Sequence, residues 1–444
     1  MRSSVLGFAA FGLALAAACS SGGTPSNGVS AGDDSGAGVS SSSGGGTASS
    51  GSSSSGASSS SGASPSDGGE AGAFPSAGNP DGSCKTLPLP SQMTLADTSS
   101  PTTVVGTGTA ASCTFDALDA AITKGGIITF DCGSGLVTIP ITSTLQPPVS
   151  KGSAPPIHIV VDGGGKVTLD GRGSVRLMSW VHDTWRTNMD TLTLQRLHIV
   201  NGKTTPTQKI PPCPAANGIA NTACSTGYDD GQGGALYMQD GELVVIDSVF
   251  EQNQAALLGP DTGGGAIYIF GSASPAYVMQ SSFLDNTASN AGAIGMLASG
   301  AFIFDSLFEG NSAVGTGANN NDATMCTCNN GSDPNQIGSG GNGGAVYSDG
   351  NALDVTICGT EIKNNTAKEF GPAVFMTNDG RGGKLIIDDS LVTGNSTPIS
   401  YWQWCTDVST DFPHASDGGA GSPSPVDTSF CNASGQACTS TCGS

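Results

Sequence analysis

A chain of 444 residues with 36 acidic against 15 basic side chains carries a formal charge of −21. That balance argues against nucleic acid and anionic membrane surfaces as partners, because like charge repels them. About 360 residues remain for folding beyond Ser83, ample for one large core.

Residues 1–18, MRSSVLGFAAFGLALAAA, hold one Arg, an apolar stretch and small residues before Cys19. This is the pattern of a secretory signal and is too short for a membrane span. The run LAAAC ending at Cys19 resembles a bacterial lipobox, with Leu15 one place further from the Cys than usual. The resemblance implies an acylated Cys19, whose several acyl chains would anchor stably; cleavage after Ala18 with Cys19 left free is the alternative. Residues 19–82 are almost entirely Ser, Gly, Ala, Pro and Thr, with five acidic and no basic residues. They cannot bury a core and are predicted to be a disordered tether, spanning roughly 40–45 Å root-mean-square.

In the folded part, CTFDALDAAIT at 113–123 places Phe115, Leu118 and Ile122 at helical spacing after Thr114, a capable cap. One short amphipathic helix ahead of stacked strands reads as a lid over their first layer. Runs rich in β-branched residues follow at 127–130, 136–141, 157–161, 167–169, 175–180 and 192–200. Asp162-Gly, Asp170-Gly and Asn201-Gly supply their turns. Residues 203–230 read as a loop.

One phrase then keeps returning. GGALYM begins at Gly233, GGAIYI at Gly264, AGAIGM at Ala291, GGAVYS at Gly343 and GPAVFM at Gly371. Each is answered by a phrase of an apolar residue, two mostly polar ones and Asn, ending at Asn253, Asn286, Asn311, Asn365 and Asn395. The Asn positions step by 33, 25, 54 and 30 residues, the long step holding an insertion at 316–342. Self-similarity at this period predicts a solenoid. Within each repeat apolar residues alternate with period two, so the elements are strands, and about three strands of 4–6 residues fit in one repeat. A chain that makes three strands and returns one strand spacing higher, roughly 4.8 Å, is a parallel β-helix. The Gly pairs suit positive-φ corners. The Asn is expected to take a left-handed corner itself and to stack its amide from repeat to repeat as a ladder.

These GGA and FxxN pairs resemble the repeats of the chlamydial polymorphic outer-membrane proteins and the wider right-handed β-helix, pectin-lyase-like group. The resemblance implies an all-β fold, a single right-handed parallel β-helix over 83–412. A capping helix would open it, repeats would fill 233–396, insertions would lie at 203–230 and 316–342, and a Cys-rich tail would occupy 413–444. It implies the cell envelope of a Gram-negative bacterium, first the outer-membrane surface, otherwise periplasm or secretion. That family ends in a translocating barrel, whereas this chain ends in CTSTCGS, so self-export is not carried over.

Thirteen cysteines less a lipidated Cys19 leave twelve, which an exported protein uses in disulfides. Cys113 with Cys132 would pin the helix to the first strand, and Cys213 with Cys224 would close the first insertion. Cys326 and Cys328 with Cys358 or Cys405 form a weaker metal reading, without a nearby His.

Charge is laid out unevenly. Residues 151–209 hold eight basic residues against four Asp, while 210–362 hold fifteen acidic residues and no Lys or Arg. A polyanionic sugar would sit on the early strands, and the acidic repeats would meet it only through Ca²⁺ on Asp and Asn oxygens. A lyase would set Asp162, Asp170, Asp183 and Asp190 around that ion, with Arg172, Arg176, Arg186 or Arg196 as base, near His158, His182 and His198. Turn chemistry accounts equally for Asp162 and Asp170, each preceding Gly. A glycoside hydrolase needs two carboxylates across a cleft, and Asp229-Asp230 and Asp388-Asp389 are the only adjacent pairs beyond the tether, the second expected mid-strand. Trp180, Trp185, Tyr401, Trp402 and Trp404 offer faces for sugar rings or cap the core. The expectation is a monomeric envelope module that binds a glycan or cell-surface ligand, with specificity in the loops at 203–230 and 316–342. The alternative is a carbohydrate-active enzyme, a polysaccharide lyase or a glycoside hydrolase.

Overall fold

The computed structural model describes residues 74–152, 154–207, 230–259, 262–315, 340–350, 354–376 and 384–397, with the backbone of 408–410. All lie in the second of the two units into which the chain divides, 66–444. The signal, Cys19, most of the tether, Cys213, Cys224, Asp229, most of both insertions, the Tyr401–Trp404 cluster and the tail fall outside the described residues.

The described fold is all-β with one α-helix, and its strands pair in parallel. The helix, Phe115–Lys124, starts where Thr114 accepts the Ala117 N–H at 3.2 Å and stops at Gly125, φ 72°. Leu118 and Ile122 are fully buried from it, and Phe115 packs against the same core. Cys113 and Cys132 are disulfide-bonded, Cα atoms 5.7 Å apart, tying the helix start to the end of the strand Ile127–Phe130. The two runs expected at 157–161 and 167–169 are one long strand, His158–Asp170, with a register shift between Asp162 and Val167 that absorbs the Gly163-Gly164-Gly165 run.

From Thr191–Val200 onward the passes of the chain feed a 15-stranded and a seven-stranded sheet, and three of them also a third. That long strand pairs with Glu242–Ile246 along its first half and Val249–Glu251 along its second, so later repeats break in two at a corner. One limb continues through Ala276–Met279, Ala301–Phe304, Val355–Cys358 and Leu385–Asp388, the other through Ser282–Leu284, Leu307–Glu309, Glu361–Lys363 and Leu391–Thr393. A seven-stranded sheet carries the GGA phrases, Leu236–Gln239 to Val374–Met376 among them, and a third sheet has three two-residue strands.

The register stacks like on like. Phe250, Phe283, Phe308, Ile362 and Val392 lie in one column, as do Leu236, Ile267, Ile294, Val346 and Val374. The three Phe rings stack at 5.1 and 4.7 Å, and each fully buried aromatic contributes about 1.5–3 kcal/mol. Both residue types recur because the column position, not the sequence neighbour, sets their surroundings.

Two polar ladders hold the corners. Each Asn amide oxygen accepts the backbone N–H and the amide N–H of the Asn one repeat earlier, from Asn253 to Asn286 to Asn311 to Asn365 to Asn395, all at 2.9–3.0 Å. The second amide proton goes to a carbonyl of the repeat before, Phe250 for Asn286. These Asn residues do not take the left-handed corner. The residue before each does: Gln252, Asp285, Gly310, Asn364 and Gly394, at φ 53–71° with Asn201 ahead of them. The physical reason is that the corner residue turns its side chain outward, whereas the ladder needs the amide inside. At the other corner Ser248, Ser281, Ser306, Thr360 and Ser390 form a hydroxyl ladder, each accepting the backbone N–H of its counterpart one repeat earlier at 3.1–3.3 Å. The leading Gly of the GGA phrase is the positive-φ residue, Gly264 at 67°, while Ala291 takes 53° despite its Cβ. The second Gly serves close approach: a Cβ on Gly265 would run into the backbone of Gly292 and Thr287.

Residues 74–82, expected within the tether, lie against the sheet and begin a strap that runs out and back across the repeats. Phe74 meets His198 edge-on at 5.6 Å. Gly78 N–H donates to Ser282 Oγ, and Asn79 N–H to the Asp305 carbonyl. Cys84 is disulfide-bonded to Cys358, which removes Cys358 from the expected metal set. Lys85 N–H and Thr86 Oγ1 donate to Asp389 and Asp388. Asp388 closes its strand and Asp389, φ 46°, is the corner, so the pair is not mid-strand. The return limb buries Met93 with Val244, Ile246, Tyr277 and Phe304 on the outer sheet face, then reaches Gln195 through Ala96 and Asp162 through Thr98.

Candidate functional site

The early strands carry two clefts. One, of about 220 Å³, is lined by Thr98, Thr129, Lys166, Asp162 and Arg196 among others. Asp162 sits at its floor, almost wholly buried. It accepts the Arg196 guanidinium in a two-pronged contact, with further donors from Thr98 Oγ1 at 2.8 Å, Gln195 Nε2 at 3.0 Å and the Gly164 N–H at 2.9 Å. Burial alone would push this carboxyl up, but the donors outweigh it and hold it below its ordinary value. Arg196 is raised in turn by the same pairing.

The second cleft, about 380 Å³, brings together Arg176 and Asp230 with Ser143, Thr144, Ser174, Val175, Thr204 and Thr205. Ser143 and Thr144 precede Leu145, which bridges Met178, so the cleft spans consecutive passes of the chain at one corner. Arg176 Nε donates to the Gly233 carbonyl at 3.0 Å, and one terminal nitrogen, Nη2, to those of Asp230 and Gln232 at 3.1 and 2.6 Å. Its guanidinium lies 5.4 Å over the Tyr237 ring, a cation–π arrangement. Burial pushes the Arg176 pKa down, opposed by Tyr237 and Asp230. The Asp230 carboxylate accepts the Thr207 N–H and hydroxyl at 2.9–3.1 Å.

The remaining sequence candidates do not converge. Asp170 accepts the Arg172 N–H and the Asn201 amide, so it and Arg172, φ 53°, build a turn. Asp190 is buried and accepts the Ser150 and Ile157 N–H groups, with His182 Nε2 at 3.1 Å. Burial would raise it, but those donors hold it below its ordinary value. His182 itself is buried and turns Nδ1 to the Gln239 carbonyl at 2.9 Å, and His198 pairs with Glu251. Trp180 is fully buried, which takes it out of any sugar platform. Trp185 is 45% exposed, edge-on to Phe270 at 4.6 Å, over Gly271.

Sequence reading missed Asp240, which is fully buried at φ 60°. Its carboxylate gathers Thr184 Oγ1 and the Thr187, Asn188 and Gly241 N–H groups, pinning the loop that presents Trp185. Its position after the GGALYMQ phrase gave no sign of this, because its Thr184, Thr187 and Asn188 donors lie more than fifty residues away.

The Asp162 site does not fit Ca²⁺. Its oxygens face N–H and O–H donors and a guanidinium, so an ion would have to displace a cation already paired with the carboxylate. Among the described residues no three His, Cys, Asp or Glu gather in a metal-holding group, and no helix is long and apolar enough to cross a membrane.

No family model, curated protein or solved structure matches the chain.

Proposed function

We propose that this chain is an envelope binding module whose clefts in the early strands receive a glycan or cell-surface ligand. The observation that carries this reading is the state of the carboxylates. Asp162, Asp170 and Asp190 each spend their oxygens on donors that fold a turn or fasten a loop. Asp162 and Asp190 are also held ionised by those donors. A general acid needs a proton to give at working pH, and a metal-binding carboxylate needs a free lone pair. Such groups suit recognition on a rigid scaffold.

In this reading the three parallel sheets are faces of one right-handed parallel β-helix. The in-register columns and both corner ladders support that finer fold. The signal-like start and Cys19 belong to a lipid-anchored outer-membrane protein, with periplasm or secretion as the other destinations.

The test uses the full mature chain against acidic and neutral polysaccharides, following retention, reducing ends and unsaturated products together. Retention of a glycan without product supports the module. Product that disappears in Asp162→Asn would replace it with the lyase or hydrolase reading.

A further inference from the structure

Arg176 is a cation whose surroundings are complete on one side only. Nε and Nη2 are spent on three backbone carbonyls, and these fix the plane of the guanidinium. Among the described residues no carboxylate lies within ion-pair distance of it. The carboxylate that shares its cleft, Asp230, is engaged by Thr207. The Asp230 charge acts on Arg176 through space, and together with the carbonyl dipoles and the Tyr237 face it offsets this half-buried cation.

Nη1 has no partner among the described residues, and the cleft beside it is walled by the hydroxyl-bearing Ser143, Thr144, Ser174, Thr204 and Thr205. A guanidinium edge is a good donor to an oxyanion, and one already oriented loses little freedom on binding. The volume, about 380 Å³, sits near the lower end of the small-ligand range, roughly 300–1,000 Å³. The walls suit a ligand that is itself hydroxylated.

We infer that the Arg176 cleft is an oxyanion subsite for an acidic sugar, with the charged group on Nη1 and the ring hydroxyls on the Ser and Thr walls. This rests on the glycan-binding reading and names the ligand class for it. The oxyanion is shared chemistry of two sources, the carboxylate of a uronic residue and a phosphate ester on a sugar. The stretch 151–209 that contains Arg176 holds eight basic residues, whereas 210–362 holds none, so an acidic polymer is drawn toward this stretch and repelled further along.

The experiment is calorimetric titration of the full chain with alginate oligomers, phosphomannan and neutral dextran. Tighter binding of one acidic polymer than of dextran is expected, and which polymer it is identifies the source. Arg176→Ala releases the 230–233 carbonyls and can unsettle the fold. The decisive variants are therefore Arg176→Lys, which keeps charge but loses the fork, and Thr205→Asp, which puts a carboxylate on an exposed wall. Each should weaken the acidic polymer about tenfold or more and leave dextran unchanged. Acidic and neutral polymers binding alike, or both variants binding like wild type, overturns the subsite while leaving the binding module standing. No binding by any polymer overturns both.

Discussion

Replacing Asn286 by Leu tests whether the amide ladder holds the stack or merely decorates it. Leu has nearly the shape of Asn, so the volume is kept and the hydrogen bonds alone are lost. In the wild type, Asn286 Oδ1 accepts from the Asn253 backbone and amide, both at 3.0 Å, and Nδ2 donates to the Phe250 carbonyl and Asn311 Oδ1. The position is fully buried, so water cannot step in. Two N–H protons of Asn253 are orphaned, at about 1–3 kcal/mol each, giving a loss of about 2–6 kcal/mol. That is a large part of the roughly 5–15 kcal/mol that holds a typical domain. Urea unfolding followed by circular dichroism gives the total, and hydrogen exchange at the Asn253 amide reports the site, because stacked repeats open regionally. Asn395→Leu, half-exposed at the end of the described ladder, should lose clearly less. A loss below about 1 kcal/mol with the Asn253 amide still protected would refute the argument.

The hydroxyl ladder makes a parallel case: Ser281→Ala orphans the Ser248 N–H and should lose about 1–3 kcal/mol in the same assay, whereas Ser281→Thr, the residue found at 360, should be nearly neutral. Asp162, depressed on folding, contributes its stability in full above the unfolded carboxyl value, about 3.9, and loses it as pH falls from there through the folded value. Asp162→Asn should therefore lower Tm at neutral pH and flatten the acid limb of Tm against pH; an unchanged limb would contradict the pairing. Cys84→Ser frees the strap from Cys358 across 274 residues and should lose about 2–4 kcal/mol, read as a Tm drop matched by adding reductant to wild type.

The repeat was legible because its two phrases obey column chemistry. The Phe and Ile stack, the Gly allows positive φ or close approach, and the Asn bonds upward. The Ser or Thr five residues before each Asn carries an equally regular signal, overlooked because serine is common throughout this chain. The strap was hidden for the opposite reason. Phe74, Cys84 and Met93 sit in or beside a stretch whose composition reads as linker, and their partners lie hundreds of residues away. The clefts were half legible: both take lining residues from the basic stretch 151–209, and Arg176 and Asp230, which share one, were both named. Local sequence could not reveal that Asp170 and Asp190 are spent on turns and loops.

The strap also fixes an order of assembly. Residues 74–98 leave the ribosome before any surface that receives them exists, since Ser282, Asp305, Cys358 and Asp388 follow by some 200 to 300 residues. The repeats close onto their neighbours through short sequence separations, so they can zip one after another, while the strap adds contacts of very high contact order that form slowly. It is therefore the last piece to seat. Until it does, Val244, Ile246, Tyr277 and Phe304 remain uncovered on the sheet's outer face, a sticky intermediate that favours aggregation over completion as protein concentration rises.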